Sequence, residues 1–167
     1  MKEQNLSSIR PDVLFLSWFG LGRMPFAPGT WGTLGSIPLI FILLWLQTPL
    51  IIFCLIIVLF TLVAIYLAQK VQIEFDIHDP QWIVIDEVIG MMITWCFVYD
   101  SNLYWMILAF LLFRFFDIVK IWPANYFDRL SHGAGTILDD VISGLYAGVS
   151  MKICTITFSS LLTHSVK

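Results

Sequence analysis

Charged residues are scarce in this sequence, and their scarcity excludes an ordinary soluble fold. Asp, Glu, Lys and Arg make up 13% of the 167 residues, whereas soluble domains average about 25%. None of the four lies in residues 24–69. A soluble domain of this size could not bury the apolar surface of a chain that is 59% hydrophobic. The composition predicts one domain, over residues 1–167, embedded in a membrane.

The sequence also lacks two patterns that would indicate a function, a basic stripe and paired cysteines. No basic stripe is present, which argues against a nucleic-acid partner. The cysteines form no C-x-x-C pair, so we predict that Cys54, Cys96 and Cys154 are reduced packing residues buried among apolar neighbours. The apolar run 13–21 is too short to span a bilayer, which takes about 20 residues, and we interpret it as an interfacial or re-entrant segment.

The remaining apolar segments predict an all-α fold, a polytopic membrane bundle of four to five membrane-embedded helices plus the short N-terminal segment. The uncharged stretch is long enough for two spans, and Pro49 marks the turn between them because proline disfavours helix at the preceding residue. The predicted spans are residues 31–46, 50–69, 82–99, 103–122 and 137–158.

The loops between these spans differ in charge. Lys and Arg occur in the N-terminal region, in loop 70–80 and in loop 123–136, which lie on one side if the spans alternate. The opposite loops, 47–49 and 100–102, contain neither residue. Basic loops stay in the cytoplasm, so the first side is predicted to be cytoplasmic. The sequence leaves the oligomeric state open, a homo-oligomer included.

Acidic residues are concentrated at the predicted cytoplasmic ends of three spans. An ionised group at mid-bilayer costs roughly 2.5–3.5 kcal/mol, so five acids near one membrane face need compensation. A divalent cation supplies it, and Mg²⁺ prefers hard oxygen ligands. We predict Mg²⁺ as cofactor, with metal ligands Asp86, Glu87, Asp139 and Asp140 and with Asp117 beside them as a catalytic residue. The alternative is a structural network of ion pairs.

Three cationic side chains accompany these acids. Arg114, Asp117 and Lys120 are spaced by three residues and would share one helix face. That face would offer a carboxylate to a metal while Arg114 and Lys120 bind phosphate oxygens. For Lys120, the alternative is that its side chain extends to the interface.

Two loops complete the candidate site. Asp128, Arg129 and His132 lie between the last two spans, where Arg129 could bind phosphate and the other two could move protons. The alternative there is an exposed juxtamembrane loop. Gly29 and Thr30 open the first span, where free backbone N–H groups can bind phosphate. The alternative is that Thr30 or Thr33 caps the helix.

Taken in order, these motifs resemble the phosphatidylglycerophosphatase A family over residues 25–148. The resemblance implies a bacterial inner-membrane enzyme that uses Mg²⁺ and faces the cytoplasm. It also implies the substrate, phosphatidylglycerophosphate, which members hydrolyse to phosphatidylglycerol and phosphate. The motifs are Pro28-Gly29-Thr30, Asp86-Glu87-x-x-Gly90, Phe113-Arg114-x-x-Asp117-x-x-Lys120-x-Trp122-Pro123, Phe127-Asp128-Arg129-x-x-His132-Gly133 and Asp139-Asp140-x-x-x-Gly144.

Two alternatives to a phosphatase are open at this point. A small ion or solute transporter subunit could use the same charges as a path, although a path needs polar groups through the whole membrane depth. An assembly factor without activity could share the fold. The nucleophile of the hydrolysis, water or a carboxylate, is also left open by the sequence.

Overall fold

The computed structural model describes residues 10–78, 80–99, 102–127 and 133–165, with side chains up to residue 158, and in this part the chain forms helices and no strand. The all-α prediction is therefore confirmed. A short 3₁₀ turn covers Leu21–Arg23. The helices are α1 (Pro11–Leu16), α2 (Pro28–Trp45), α3 (Leu50–Phe75), α4 (Ile85–Cys96), α5 (Leu103–Val119), α6 (Ala124–Phe127) and α7 (Gly133–Ser165).

Three described helices are long and apolar enough to cross a membrane: α2, α3 and the part of α7 over Gly133–Phe158. The helix α4 has 12 residues and so rises about 18 Å, less than the roughly 30 Å of a hydrocarbon core. It is thus shorter than the predicted span 82–99. The helix α3 extends six residues past its predicted end at 69, to Phe75, because Lys70 and Glu74 sit on its polar last turns.

Successive long helices run in opposite directions, so their ends meet at two poles. At one pole, which we call the far end, the Tyr99 hydroxyl after α4 donates a hydrogen bond to the Thr48 carbonyl before α3. The Trp105 ring at the start of α5 packs 5.8 Å from the Phe158 ring on α7. At the other pole, the site end, α2, α4 and α7 begin and α3 and α5 finish.

The short helix α4 lies in the middle of the bundle, where nearly all of its side chains are buried. It crosses α7 at Gly90 and Gly144, where a Cβ added to Gly144 would lie 2.5 Å from the Gly90 carbonyl oxygen. Small residues permit such close helix contacts. This crossing brings the start of α4 next to the start of α7.

The N-terminal segment packs against the site end of the bundle. Val13 and Leu16 on α1 are fully buried, and the Val84 amide donates a hydrogen bond of 2.9 Å to the Leu16 carbonyl. Arg10 pairs with Asp12 at 2.8 Å and with Glu74 on α3 at 2.7 Å. The hydrogen bond from Arg10 lowers the pKa of the Asp12 carboxyl.

The cysteines are less buried than the sequence predicted. Cys154 is exposed, so the prediction of a buried packing residue is wrong there, because its position on α7 faces away from the other helices. Cys54 on α3 and Cys96 on α4 are partly buried, with their sulfur atoms 4.0 Å apart.

Candidate active site

A cavity of about 330 Å³ opens at the site end of the bundle. The beginnings of α2, α4 and α7, the end of α5 and the segment before α4 form its walls. Every predicted site residue in the described part of the chain lines it, with the exception of Thr30. The lining residues are Ala27, Pro28, Gly29, Pro80, Gln81, Ile83, Asp86, Glu87, Arg114, Asp117, Lys120, Thr136, Asp139 and Asp140.

Three carboxylates form the centre of this cavity. Asp86 and Glu87 lie in the first turn of α4, and Asp140 lies on α7. One oxygen from each lies within 4.8 Å of the others. Asp86 and Asp140 are buried. Glu87 Oε2 is also buried and has no hydrogen-bond partner within the described residues.

This group fits a divalent cation. These three neighbouring carboxylates, two of them on buried residues, repel one another, and in the described part of the chain no Lys or Arg forms an ion pair with any of them. The unsatisfied Glu87 oxygen is costly unless a cation or donor meets it. Hard oxygen ligands of this kind are those that Mg²⁺ takes, usually with substrate phosphate in its shell.

The two cationic side chains pair with the other two acids. Arg114 Nη1 lies 2.6 Å from Asp117 Oδ2 on the same helix, as their spacing of three predicts. The helix α5 ends at Val119, and Lys120 follows in the left-handed conformation with φ of 45°. Lys120 therefore leaves the predicted helix face, and its Nζ reaches Asp139 Oδ2 on α7 at 2.7 Å.

The adjacent acids of α7 therefore have different surroundings. Asp140 belongs to the group of three carboxylates, whereas Asp139 lies outside that group and pairs with Lys120. Consecutive residues on a helix do not face the same way. The predicted set of four metal ligands thus comes together in one cavity, with three of the four in the compact group.

Gly29 closes the wall opposite α4. A Cβ at this position would lie 2.2 Å from Glu87 Oε1 and 3.2 Å from Arg114 Nη1, so the approach requires glycine. The Thr33 hydroxyl donates to the Gly29 carbonyl at 2.9 Å and accepts from Arg114 at 3.5 Å. The residue before α2 is Ala27, and no side chain caps the helix. Neither Thr30 nor Thr33 is therefore the cap.

Some of the site lies outside what the sequence indicated. Gln81 and Thr136 line the cavity although neither was predicted to do so. Thr136 precedes Asp140 by four residues, and this spacing predicts that both lie on the same face of a helix. The Thr136 Oγ1 atom accepts a hydrogen bond of 3.0 Å from Gln72 on α3. Gln81 lies in a segment without helix, where spacing carries no such signal. The predicted Asp128, Arg129 and His132 lie outside the described residues.

Comparison with known proteins identifies the family. The sequence profile of phosphatidylglycerophosphatase A matches residues 14–155, which include the entire cavity lining. The chain belongs to the phosphatidylglycerophosphatase A family. Membership makes it an enzyme of a phosphatase family. The resemblance carried by the ordered motifs is confirmed.

Relatives cover most of the chain. A phosphatidylglycerophosphatase A of Haemophilus influenzae is 39% identical over 145 residues, covering 86% of this chain and 88% of its own length. That of Escherichia coli is 33% identical over 144 residues, covering 86% and 83%. A Bacteroides thetaiotaomicron protein with the provisional name phosphatidylinositol-3-phosphatase is 36% identical over 152 residues, covering 84% and 91%. No solved structure matches this phosphatidylglycerophosphatase A family chain.

Proposed function

We propose that the protein hydrolyses the terminal phosphomonoester of phosphatidylglycerophosphate, with Mg²⁺, at the cytoplasmic face of a bacterial inner membrane. The products are phosphatidylglycerol and inorganic phosphate. The family and its named relatives support the reaction. The observation that carries the proposal is the compact group of Asp86, Glu87 and Asp140, with Arg114 and Lys120 lining the same cavity.

Each carboxylate has a role in this proposal. Asp86, Glu87 and Asp140 would hold Mg²⁺, which neutralises charge on the phosphate oxygens when it is bound. Asp139 was predicted as a fourth ligand, and we now assign it to positioning Lys120. Asp117 likewise orients Arg114, through the ion pair of 2.6 Å.

The cations and the start of α2 would bind the phosphate. The planar guanidinium of Arg114 suits two oxygens of the group, whereas Lys120 acts as a point charge. The first turn of α2, at Gly29, has backbone N–H groups without helical partners, which favour anions. The substrate-binding roles predicted for Thr30 and Arg129 stay predictions.

Hydrolysis also requires a proton transfer. The bond between phosphorus and the glycerol oxygen breaks, and the leaving alkoxide takes up a proton to become the hydroxyl of phosphatidylglycerol. Asp128 and His132 are the candidates that the sequence provides for this donation. Positioning and charge stabilisation account for most phosphoryl-transfer catalysis, and the cavity supplies both.

The shape of the bundle suits a lipid substrate. Three helices can cross a membrane, and the cavity opens at one end of them. A headgroup could enter there while the acyl chains stay in the bilayer. Lys and Arg of the site end support a cytoplasmic orientation, while Lys152 on the far half of α7 opposes it. Among the described residues, the site-end cations are Arg10, Arg23, Lys70, Arg114 and Lys120.

A transporter path finds less support. A path would need polar groups along the full depth of the bundle. In the described far half of the bundle, the buried positions other than Thr94 are held by apolar side chains such as Phe53, Met106 and Met151, and no charged side chain described there is buried. The charged groups of the interior are gathered at the site end.

The test is phosphate release from phosphatidylglycerophosphate by the purified protein in detergent, with Mg²⁺ and with a chelator. We expect release that needs Mg²⁺ and falls at least about 100-fold in Asp86→Asn. The matched control is Lys152→Gln, an exposed position on α7 away from the cavity. Well-folded protein that releases no phosphate with lipid and Mg²⁺ present would refute the proposal.

A further inference from the structure

A second cavity of about 390 Å³ lies beside the first. Pro28, Pro80 and Gln81 line both cavities, so a single wall separates them. The second cavity contains a cation but none of the metal-binding carboxylates. Its lining residues are Gly22, Arg23, Met24, Pro25, Pro28, His78, Pro80, Gln81 and Trp82.

The fold fixes the position of Arg23 in this cavity. The 3₁₀ turn Leu21–Arg23 packs directly on the segment before α4, where a Cβ on Gly22 would lie 2.1 Å from the Trp82 carbonyl oxygen. The Arg23 guanidinium lies over the Trp82 ring, 6.0 Å from its centroid. Such stacking holds a guanidinium in place.

The proposed substrate has a chemical feature that matches this arrangement. Phosphatidylglycerophosphate contains two phosphates: the terminal monoester and a phosphodiester, separated by one glycerol unit. If the monoester lies among Asp86, Glu87 and Arg114, the glycerol leads out of the first cavity and the phosphodiester comes next. A neighbouring cavity with an arginine suits that second anion.

We propose that the second cavity binds the phosphodiester of the substrate and that Arg23 is a specificity-determining residue. This inference rests on the proposed function. Lipids with a single phosphate lack the group that Arg23 recognises, so Arg23 favours a headgroup with two phosphates. Arg23 touches neither the reacting phosphorus nor the metal ligands, and its effect falls on substrate binding.

The first test is the steady-state kinetics of Arg23→Gln with phosphatidylglycerophosphate. We expect KM to rise about tenfold, which corresponds to about 1.4 kcal/mol of binding free energy, because Arg23 is exposed and water screens part of its attraction for the phosphodiester. The kcat should change less than about twofold, because the interaction is the same in ground and transition states. Arg23→Lys should recover most of the affinity, and Lys152→Gln should change neither constant.

The second test uses two soluble inhibitors of the same reaction. The deacylated headgroup, glycerophosphoglycerol phosphate, has both phosphates, whereas glycerol 3-phosphate has the monoester alone. In the wild type we expect the deacylated headgroup to inhibit at an about tenfold lower concentration. Arg23→Gln should abolish that difference and leave inhibition by glycerol 3-phosphate unchanged.

A charge change at Met24 tests the cavity without removing Arg23 from Trp82. Met24 is exposed and lines the second cavity but not the first. Met24→Lys should lower KM and Met24→Glu should raise it, with kcat unchanged in both. The inference would be overturned if the two inhibitors differed in potency by the same factor in wild type and Arg23→Gln. A decrease of kcat alone in Arg23→Gln would also overturn it. A wild type without phosphatase activity would overturn the proposed function instead.

Discussion

The site end contains two pairs of adjacent acids, and the two pairs differ in whether both members join the group of three carboxylates. Asp86 and Glu87 in the first turn of α4 both enter the group of three carboxylates. Asp139 and Asp140 lie about two turns into α7, and they separate. Asp140 joins the group, while Asp139 turns to Lys120 at 2.7 Å. Adjacency in the sequence therefore does not establish a shared role.

The physical reason lies in where each pair sits on its helix. Neighbouring residues on a helix point about 100° apart, since one turn takes 3.6 residues. In the first turn of α4, the backbone N–H groups have no helical partners and favour negative charge, so two adjacent carboxylates are stable there. One of these groups, the Glu87 amide, donates a hydrogen bond of 3.1 Å to Asp86 Oδ1. Within α7 the backbone amides bond within the helix, so Asp139 pairs instead with Lys120, the residue that follows α5.

The largest effect should come from Asp140→Asn. It removes a carboxylate oxygen that the proposed function assigns to the metal, and we expect activity to fall more than about 100-fold, beyond the 10–100-fold typical of an outer partner. The Mg²⁺ concentration for half-maximal activity should rise at the same time. Phosphate release titrated with Mg²⁺ measures both. A normal Mg²⁺ requirement in this variant would break the distinction between the two α7 acids.

Asp139→Asn should have a smaller effect of a different kind. Without its partner, Lys120 loses its fixed position, and we expect activity to fall about 10-fold to 100-fold with the Mg²⁺ requirement unchanged. Lys120→Gln should lower activity similarly. The double variant should be little worse than either single one, because residues in one ion pair are not additive. Additive losses would show that the pair does not act as a unit.

Gly29→Ala tests the wall that faces Glu87. The added Cβ would lie 2.2 Å from Glu87 Oε1, so the Glu87 side chain must move away from its place. We expect an about 10-fold loss of activity, which an outer partner of a metal site typically costs. Lys152→Gln, at the exposed position on α7 away from the cavity, is again the control. Equal effects of both substitutions would contradict this account of the wall.

A paired acid away from the site should have the smallest effect. Asp12→Asn removes one of the two carboxylates that pair with Arg10, and Glu74 remains as the other. The substitution should lower thermal stability slightly without changing the Mg²⁺ requirement. The folded-state pKa of Asp12 lies below its ordinary value, so the carboxylate stabilises the fold at neutral pH. That stability is lost as pH falls below about 4. The difference in unfolding temperature between the two proteins should therefore shrink as the pH falls from 7 to 3.

The sequence predicted the helices and the face on which the acids gather, because hydropathy and alternation of spans depend on chain order alone. A predicted span ended too early where polar residues continue the helix, as in α3, which extends past Glu74 to Phe75. Helical spacing separates Asp139 from Asp140, but which of the two joins the group could not be predicted, since it depends on how α7 is rotated against α4 and α5. The left-handed Lys120 after α5 and the second cavity depend on backbone geometry that spacing does not encode.

The contact between Gly90 and Gly144 has a consequence for how the enzyme tolerates its surroundings. Gly90 lies four residues after Asp86, and Gly144 lies four residues after Asp140, so the contact is about one turn, or 6 Å, from both acids. Neither glycine has a rotamer to change, so the distance between the helices there does not adjust as side chains repack. The acids should therefore keep their spacing in membranes of different lipid composition.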